Sequence, residues 1–144
     1  MFLDEQGNPT PVAVSGKSLT LQLGYQVAAG KQVNYLNASV EFLGLMGELL
    51  FVCEVRLGRG GRFTEVPPKG KLVCHIPNFP LSSGSYGFNL TAKTTNIIDH
   101  IKNAGTITVE DGDFYGTGQV PGTKHRSVVM VQHRWDILAD TPPR

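Results

Sequence analysis

Pro80-Leu81-Ser82-Ser83-Gly84-Ser85-Tyr86-Gly87-Phe88-Asn89-Leu90-Thr91-Ala92-Lys93 holds the turn and the strand on which the fold reading rests. Tyr86, Phe88, Leu90 and Ala92 alternate with Gly87, Asn89, Thr91 and Lys93, the two-residue period of a β-strand with one face inward. A Leu, then a Gly, then a Tyr opening the strand is the pattern of a tyrosine corner. There the Tyr hydroxyl bonds to backbone upstream and pins a crossover between two sheets. That structural role accounts for Tyr86 better than stacking on a ligand does.

The same alternation recurs on both sides of this stretch. Leu19, Leu21, Leu23 and Tyr25 alternate with polar or small residues, as do Leu36, Ala38, Val40 and Phe42, then Leu72, Cys74 and Ile76, then Ile107 and Val109. The apolar run from Leu49 to Val55 reads as a central strand or one buried on both faces, and 126–135 as a last, Val-rich strand. Seventeen glycines and nine prolines are spread along the chain and punctuate these runs. Gly58-Arg59-Gly60-Gly61-Arg62 reads as a flexible hairpin loop, and residues 95–102 as a short helix or turn capped by Thr95 or Asn96. About seven to nine short strands separated by turns imply an all-β, antiparallel, immunoglobulin-like sandwich.

The 144 residues suffice for one domain with a real core. A net charge of +1 argues against general nucleic-acid binding, which favours a basic balance. The single Arg-Gly-Gly-Arg segment does not change that. No apolar stretch reaches the ~18 residues of a membrane span, and Met1-Phe2-Leu3-Asp4-Glu5 lacks the basic region of a signal peptide.

Little catalytic chemistry is legible. His75, His100, His125 and His133 lack metal-ligand spacing, and no Gly-x-Ser-x-Gly elbow occurs. Glu110, Asp111 and Asp113 cluster in a turn, read as solvated; a calcium loop is the lesser alternative. Cys53 and Cys74 sit in apolar stretches without Cys-x-x-Cys spacing. Buried reduced thiols are the simplest reading and would suit a cytoplasmic protein, with a cross-strand disulfide as the alternative. No cofactor and no metal are expected.

Several ordered segments carry a resemblance. They are Ile76-Pro77-Asn78-Phe79-Pro80-Leu81 running on to Tyr86, Ile98-Asp99-His100-Ile101-Lys102-Asn103-Ala104 with Thr106-Ile107-Thr108-Val109, Asp113-Phe114-Tyr115-Gly116, and Val131-Gln132-His133-Arg134-Trp135. In order and spacing they resemble the C-terminal domain of the Wzt subunit of O-antigen polysaccharide ABC exporters. The resemblance implies a non-catalytic carbohydrate-binding domain that recognises the non-reducing terminus of the O-polysaccharide and licenses its export. It also implies an ATPase domain N-terminal to this one, a membrane permease as partner, and a cytoplasmic location at the inner face of the bacterial inner membrane. No Gly-x-x-x-x-Gly-Lys-[Ser/Thr] phosphate cradle is present. Residues 1–11 then read as the remnant of a linker, 12–137 as the binding domain, and 138–144 as a C-terminal tail.

A rigid sheet face suits sugar recognition, because alternate side chains project together. The strands around 36–43, 86–93 and 105–110 are expected to share a sheet. Asn37, Ser39, Glu41, Asn89, Thr91 and Lys93 on its outer face form the candidate carbohydrate site, with Thr106 and Thr108 beside them. An ordinary solvated face is the competing reading, and Thr20, Gln22, Lys71 and His75 mark a rival site on the other sheet. Lys124 and Arg126 form a second candidate, for an anionic terminus, since guanidinium groups grip oxyanions bidentately. Val128, Val129, Met130, Val131 and Trp135 place apolar side chains on both faces of the last strand. Such an edge needs cover. The family's exchanged C-terminal strand points the same way, so a homodimer is expected. The functional alternative is a structural or adhesive immunoglobulin-like module of a surface or phage protein.

Overall fold

The computed structural model describes residues 1–95, 98–121 and 127–139, and among these it has eight strands and one short helix. The strands are β1 (Phe2–Leu3), β2 (Val12–Val14), β3 (Leu19–Gln26), β4 (Asn37–Leu43), β5 (Leu49–Glu54), β6 (Lys69–Ile76), β7 (Gly84–Lys93) and β8 (Ile98–Glu110), with α1 (Val55–Arg59) after β5. A three-stranded sheet runs β1-β3-β6 and a five-stranded sheet β2-β8-β7-β4-β5. Pairing is antiparallel except for β2 beside β8, which is parallel. The expected all-β sandwich is therefore present, with one parallel edge pair. Residues 1–11, expected as a linker remnant, contribute β1, and Phe2 meets Phe88 edge-on at 5.2 Å.

Alternation builds the core. Leu19 and Leu21 come from the smaller sheet, and Ala13, Val40, Phe42, Tyr86, Phe88, Ile107 and Val109 from the larger. Phe42 is fully buried and central, stacked on Phe51 at 4.5 Å and edge-on to Phe79 at 5.7 Å. Such aromatic pairs contribute about 0.5–1.5 kcal/mol beyond the area they bury.

The crossover from β6 to β7 is pinned as the sequence predicted. The Tyr86 hydroxyl donates to the Ser82 carbonyl at 2.8 Å. Gly84 has φ +155°, and a Cβ there would lie 3.3 Å from that hydroxyl, so a larger residue would crowd it. The buried Ser15 hydroxyl donates to the Leu81 carbonyl at 2.6 Å, tying the crossover to the β2–β3 turn.

Four local expectations are corrected. Residues 98–102 are strand, not helix: β8 pairs Ile98 with Lys93 and Ile101 with Leu90. Long-range pairing suits the β-branched Ile98 and Ile101 better than a helix, where such side chains lose rotamers, and residues 96 and 97 lie outside the described ones. β5 is an edge strand, not a central one, and Leu49 and Val52 are exposed. Part of the Gly58–Arg62 segment is helical. α1 reaches Arg59, and Gly60 ends it at φ +84°, its N–H donating to the Arg56 carbonyl, a left-handed cap that suits glycine. Finally, 126–135 forms no extended strand among its described residues. Val129 bridges Leu81 and Met130 is buried, while Val131 and Trp135 are exposed.

Candidate functional site

Asn37, Ser39 and Glu41 point away from the core because Ala38, Val40 and Phe42 point into it. Register then fixes their neighbours. Asn37 lies opposite Lys93, Ser39 between Thr91 and Glu54, and Glu41 between Asn89 and Val52. The six candidate residues thus form one continuous face across β4 and β7, as the alternation implies. Thr106 and Thr108 continue it on β8, opposite Gly87 and Ser85.

The structure adds relief to this face. Leu36 bridges Phe63, which draws the loop after α1 alongside the start of β4. The Arg62 guanidinium then lies over the Tyr35 ring, 3.9 Å from its centroid. With Glu54 and Arg56 from the β5–α1 junction, these side chains wall a cleft of about 390 Å³. Its floor and far wall are Asn37, Ser39, Thr91 and Lys93. Four of the six candidates therefore line the cleft, and Glu41 and Asn89 continue along the sheet beyond it.

Hydrogen bonds hold the walls. The Asn37 amide donates from Nδ2 to Glu54 Oε1 at 3.0 Å, and its Oδ1 accepts the Arg56 backbone N–H at 3.1 Å. Arg56 Nε reaches the same Glu54 oxygen at 3.2 Å. The Asn37 hydrogen bond, supported by Arg56, holds the Glu54 carboxyl below the usual carboxylate range, against the opposing effect of burial. Glu54 therefore stays an acceptor at neutral pH. Arg62 is stiffened by stacking on Tyr35, so it loses less freedom on meeting a ligand oxygen.

Tyr35, Glu54, Arg56 and Arg62 were not among the residues that alternation selects. Tyr35 precedes β4, Glu54 and Arg56 flank the end of an apolar run, and Arg62 belongs to a segment that reads as a loop. The β4–β5 register brings Glu54 and Arg56 to Asn37, and the Leu36–Phe63 bridge brings Arg62 to Tyr35. The one available signal was the pair of arginines flanking Gly60-Gly61, placed between two strands.

The rival face is occupied differently. Thr20 Oγ1 and His75 Nδ1 hydrogen-bond each other at 2.9 Å, and exposed Val73 sits opposite Gln22. Two larger hollows, about 520 and 620 Å³, open between the sheets. Leu21, Leu23, Val52, Leu57 and Phe63 are among the residues lining the first, and Leu23, Val27, Val33 and Leu36 among those lining the second. Replacing the water around sugar hydroxyls requires fixed polar groups, which the sheet-face cleft supplies more densely. Lys124 and Arg126 lie outside the described residues. In the acidic turn, Asp113 accepts the N–H groups of Thr117 and Gly118 and so orders its own loop.

No protein-family model matches this sequence, and no curated protein matches it either. Among solved structures, a crystal structure of the C-terminal domain of Wzt superposes with a TM-score of 0.68 at 11% identity. The match covers 95% of this chain and 80% of that one. An identity that low speaks to the fold. The chain is a β-sandwich similar in fold to the C-terminal domain of Wzt.

Proposed function

We propose that this chain is a non-catalytic carbohydrate-binding domain of an O-antigen ABC exporter's ATPase subunit. It takes the non-reducing end of the O-polysaccharide into the cleft between Tyr35, Asn37, Glu54, Arg62 and Lys93, and so licenses export. The observation that carries the reading is a walled polar cleft on the β4–β7 face of a sandwich similar in fold to the Wzt domain. The groups in it match a sugar's needs. Glu54 accepts from hydroxyls, Lys93 and Arg62 donate, and Ser39 and Thr91 carry hydroxyls that can do both. A chain end fits such a walled cleft better than it fits a flat sheet.

In this reading an ATPase domain precedes the binding domain in the parent chain, a membrane permease is its partner, and the assembly sits at the inner face of the bacterial inner membrane. The domain acts as a homodimer. Calorimetric titration with the source organism's O-polysaccharide, with and without its terminal modification, tests the proposal. Saturable binding that needs the intact terminus and weakens in Tyr35→Ala is expected. Equal heats from polysaccharide with and without its terminus would overturn terminal recognition. No binding to either would overturn the carbohydrate reading.

A further inference from the structure

Both cysteines face the interior, from strands at the edges of different sheets. Cys53 on β5 lies opposite Val40, and Cys74 on β6 lies opposite Leu21; both of those partners are core residues. β5 and β6 are each the last strand of their sheet, so the two edges meet along one side of the sandwich. The apolar crevice of about 520 Å³ runs between them, and both cysteines line it. Both are free thiols, half-buried, and they line that crevice from opposite sheets.

We infer that Cys53 and Cys74 form a reversible oxidative modification site, an inter-sheet disulfide that clamps the open edge of the sandwich. Three observations carry this. The thiols face the same crevice from opposite sheets, so narrowing it brings them toward the short separation a disulfide demands. The crevice gives a small oxidant a route to them, which a closed core would not. The mutual interaction of the two side chains also makes the pair unequal. It pushes the Cys53 thiol up and brings Cys74 down to about 7, which makes Cys74 the nucleophile.

With hydrogen peroxide as oxidant, the Cys74 thiolate attacks one peroxide oxygen and hydroxide leaves. This gives a sulfenic acid at Cys74. The Cys53 sulfur then attacks the Cys74 sulfur, the S–S bond forms, and the sulfenic oxygen leaves as water. Overall two thiols and one peroxide give one disulfide and two waters. A thiol reductant reverses the reaction by exchange.

The clamp acts on more than the crevice. Cys53 adjoins Glu54, and Ser39 and Glu54 line both the crevice and the polar cleft. Fixing Cys53 to the opposite sheet therefore restrains the cleft wall at its root. This inference stands whether or not the cleft binds a glycan.

The test is mass spectrometry of the intact, folded chain under non-reducing conditions after mild peroxide treatment. A loss of two hydrogens, restored by dithiothreitol, is expected, with one peptide joining Cys53 to Cys74. In Cys53→Ser, Cys74 should stop at sulfenic acid and be captured by dimedone. In Cys74→Ser, alkylation of Cys53 should be at least on the order of tenfold slower than that of Cys74 in Cys53→Ser. Hydrogen exchange at the β5 amides should slow on oxidation and recover on reduction. Sulfinic acid without a disulfide, a disulfide only between chains, or equal reactivity of the two thiols would each overturn the inference.

Discussion

The Tyr86 hydroxyl reaches back four residues to the Ser82 carbonyl at 2.8 Å, and both residues are buried. That bond fastens the chain where it passes from one sheet to the other. The Ser82 N–H is itself taken by the Val128 carbonyl, so the corner also anchors the C-terminal segment. Tyr86→Phe keeps the ring and removes the donor. It should cost about 0.5–1.5 kcal/mol, a fall in melting temperature on the order of 2–5 °C for a domain of this size. Unchanged thermal and urea midpoints would show that the corner is not holding the crossover.

This corner was readable from residues 80–86 because its parts are local, and a Leu, a Gly and a Tyr at fixed spacing have one common structural use. The β4–β7 face was readable for a similar reason, since strict alternation leaves a single choice of inner side chains. The cleft wall was not. Arg62 meets Tyr35 only through a bridge between segments almost thirty positions apart, and no local pattern encodes such a meeting. The misplacement of β5 has its own cause. Apolar residues at both parities signal burial on two faces, yet Val52 stands exposed on an edge. Periodicity reports which side chains prefer cover, not whether a neighbouring strand supplies it.

Acid should loosen the cleft before it unfolds the core. The Glu54 carboxyl is held below its ordinary range, chiefly by Asn37. A depressed folded value means that its contribution is complete above the unfolded carboxylate range and is lost as pH falls through the folded value. Asn37→Ala removes the main cause, so the titration of Glu54, followed by the NMR shift of its carboxyl carbon, should move to higher pH. Lys93→Ala, which leaves the Asn37–Glu54 bond in place, should move it less. Coincident titrations in wild type and Asn37→Ala would refute this account of the wall.

Glycan affinity separates the sheet face from the cleft. Asn89→Ala and Lys93→Ala together remove outward polar groups from β7, where solvent-facing changes alter stability by about 0.5 kcal/mol or less. Each lost ligand hydrogen bond should weaken binding about two- to tenfold, with little change in melting temperature. Tyr35→Ala tests the wall alone, because it removes the platform under Arg62. If the β7 pair leaves affinity intact while Tyr35→Ala abolishes it, the ligand sits against the Arg62 wall. If neither matters, Thr20, Gln22, Lys71 and His75 on the smaller sheet become the face to examine.

The C-terminal segment bears on the proposed homodimer. Residues 128–130 run against 80–82 of the same chain: the Met130 N–H donates to the Pro80 carbonyl at 2.7 Å, and Met130 is buried. Beyond that point the chain stops burying what it carries. Val131, Trp135, Ile137 and Leu138 are 67%, 86%, 98% and 89% exposed. Isolated exposed hydrophobes are ordinary, but four within eight residues, with a tryptophan among them, form a surface that association would cover. A second copy is the proposed cover, its segment crossing in return under two-fold symmetry. Deleting everything after residue 125 would confound the test, since it also uncovers the core beneath Met130. Trp135→Asp, Ile137→Asp and Leu138→Asp together keep the intrachain bridge and charge only the exposed part. Light scattering at micromolar concentration should give twice the chain mass for the wild type and a single chain mass for the triple variant, with the Met130 contacts kept. A wild-type chain that runs as a monomer would end the dimer proposal. A triple variant that remains dimeric would move the interface elsewhere on the sandwich.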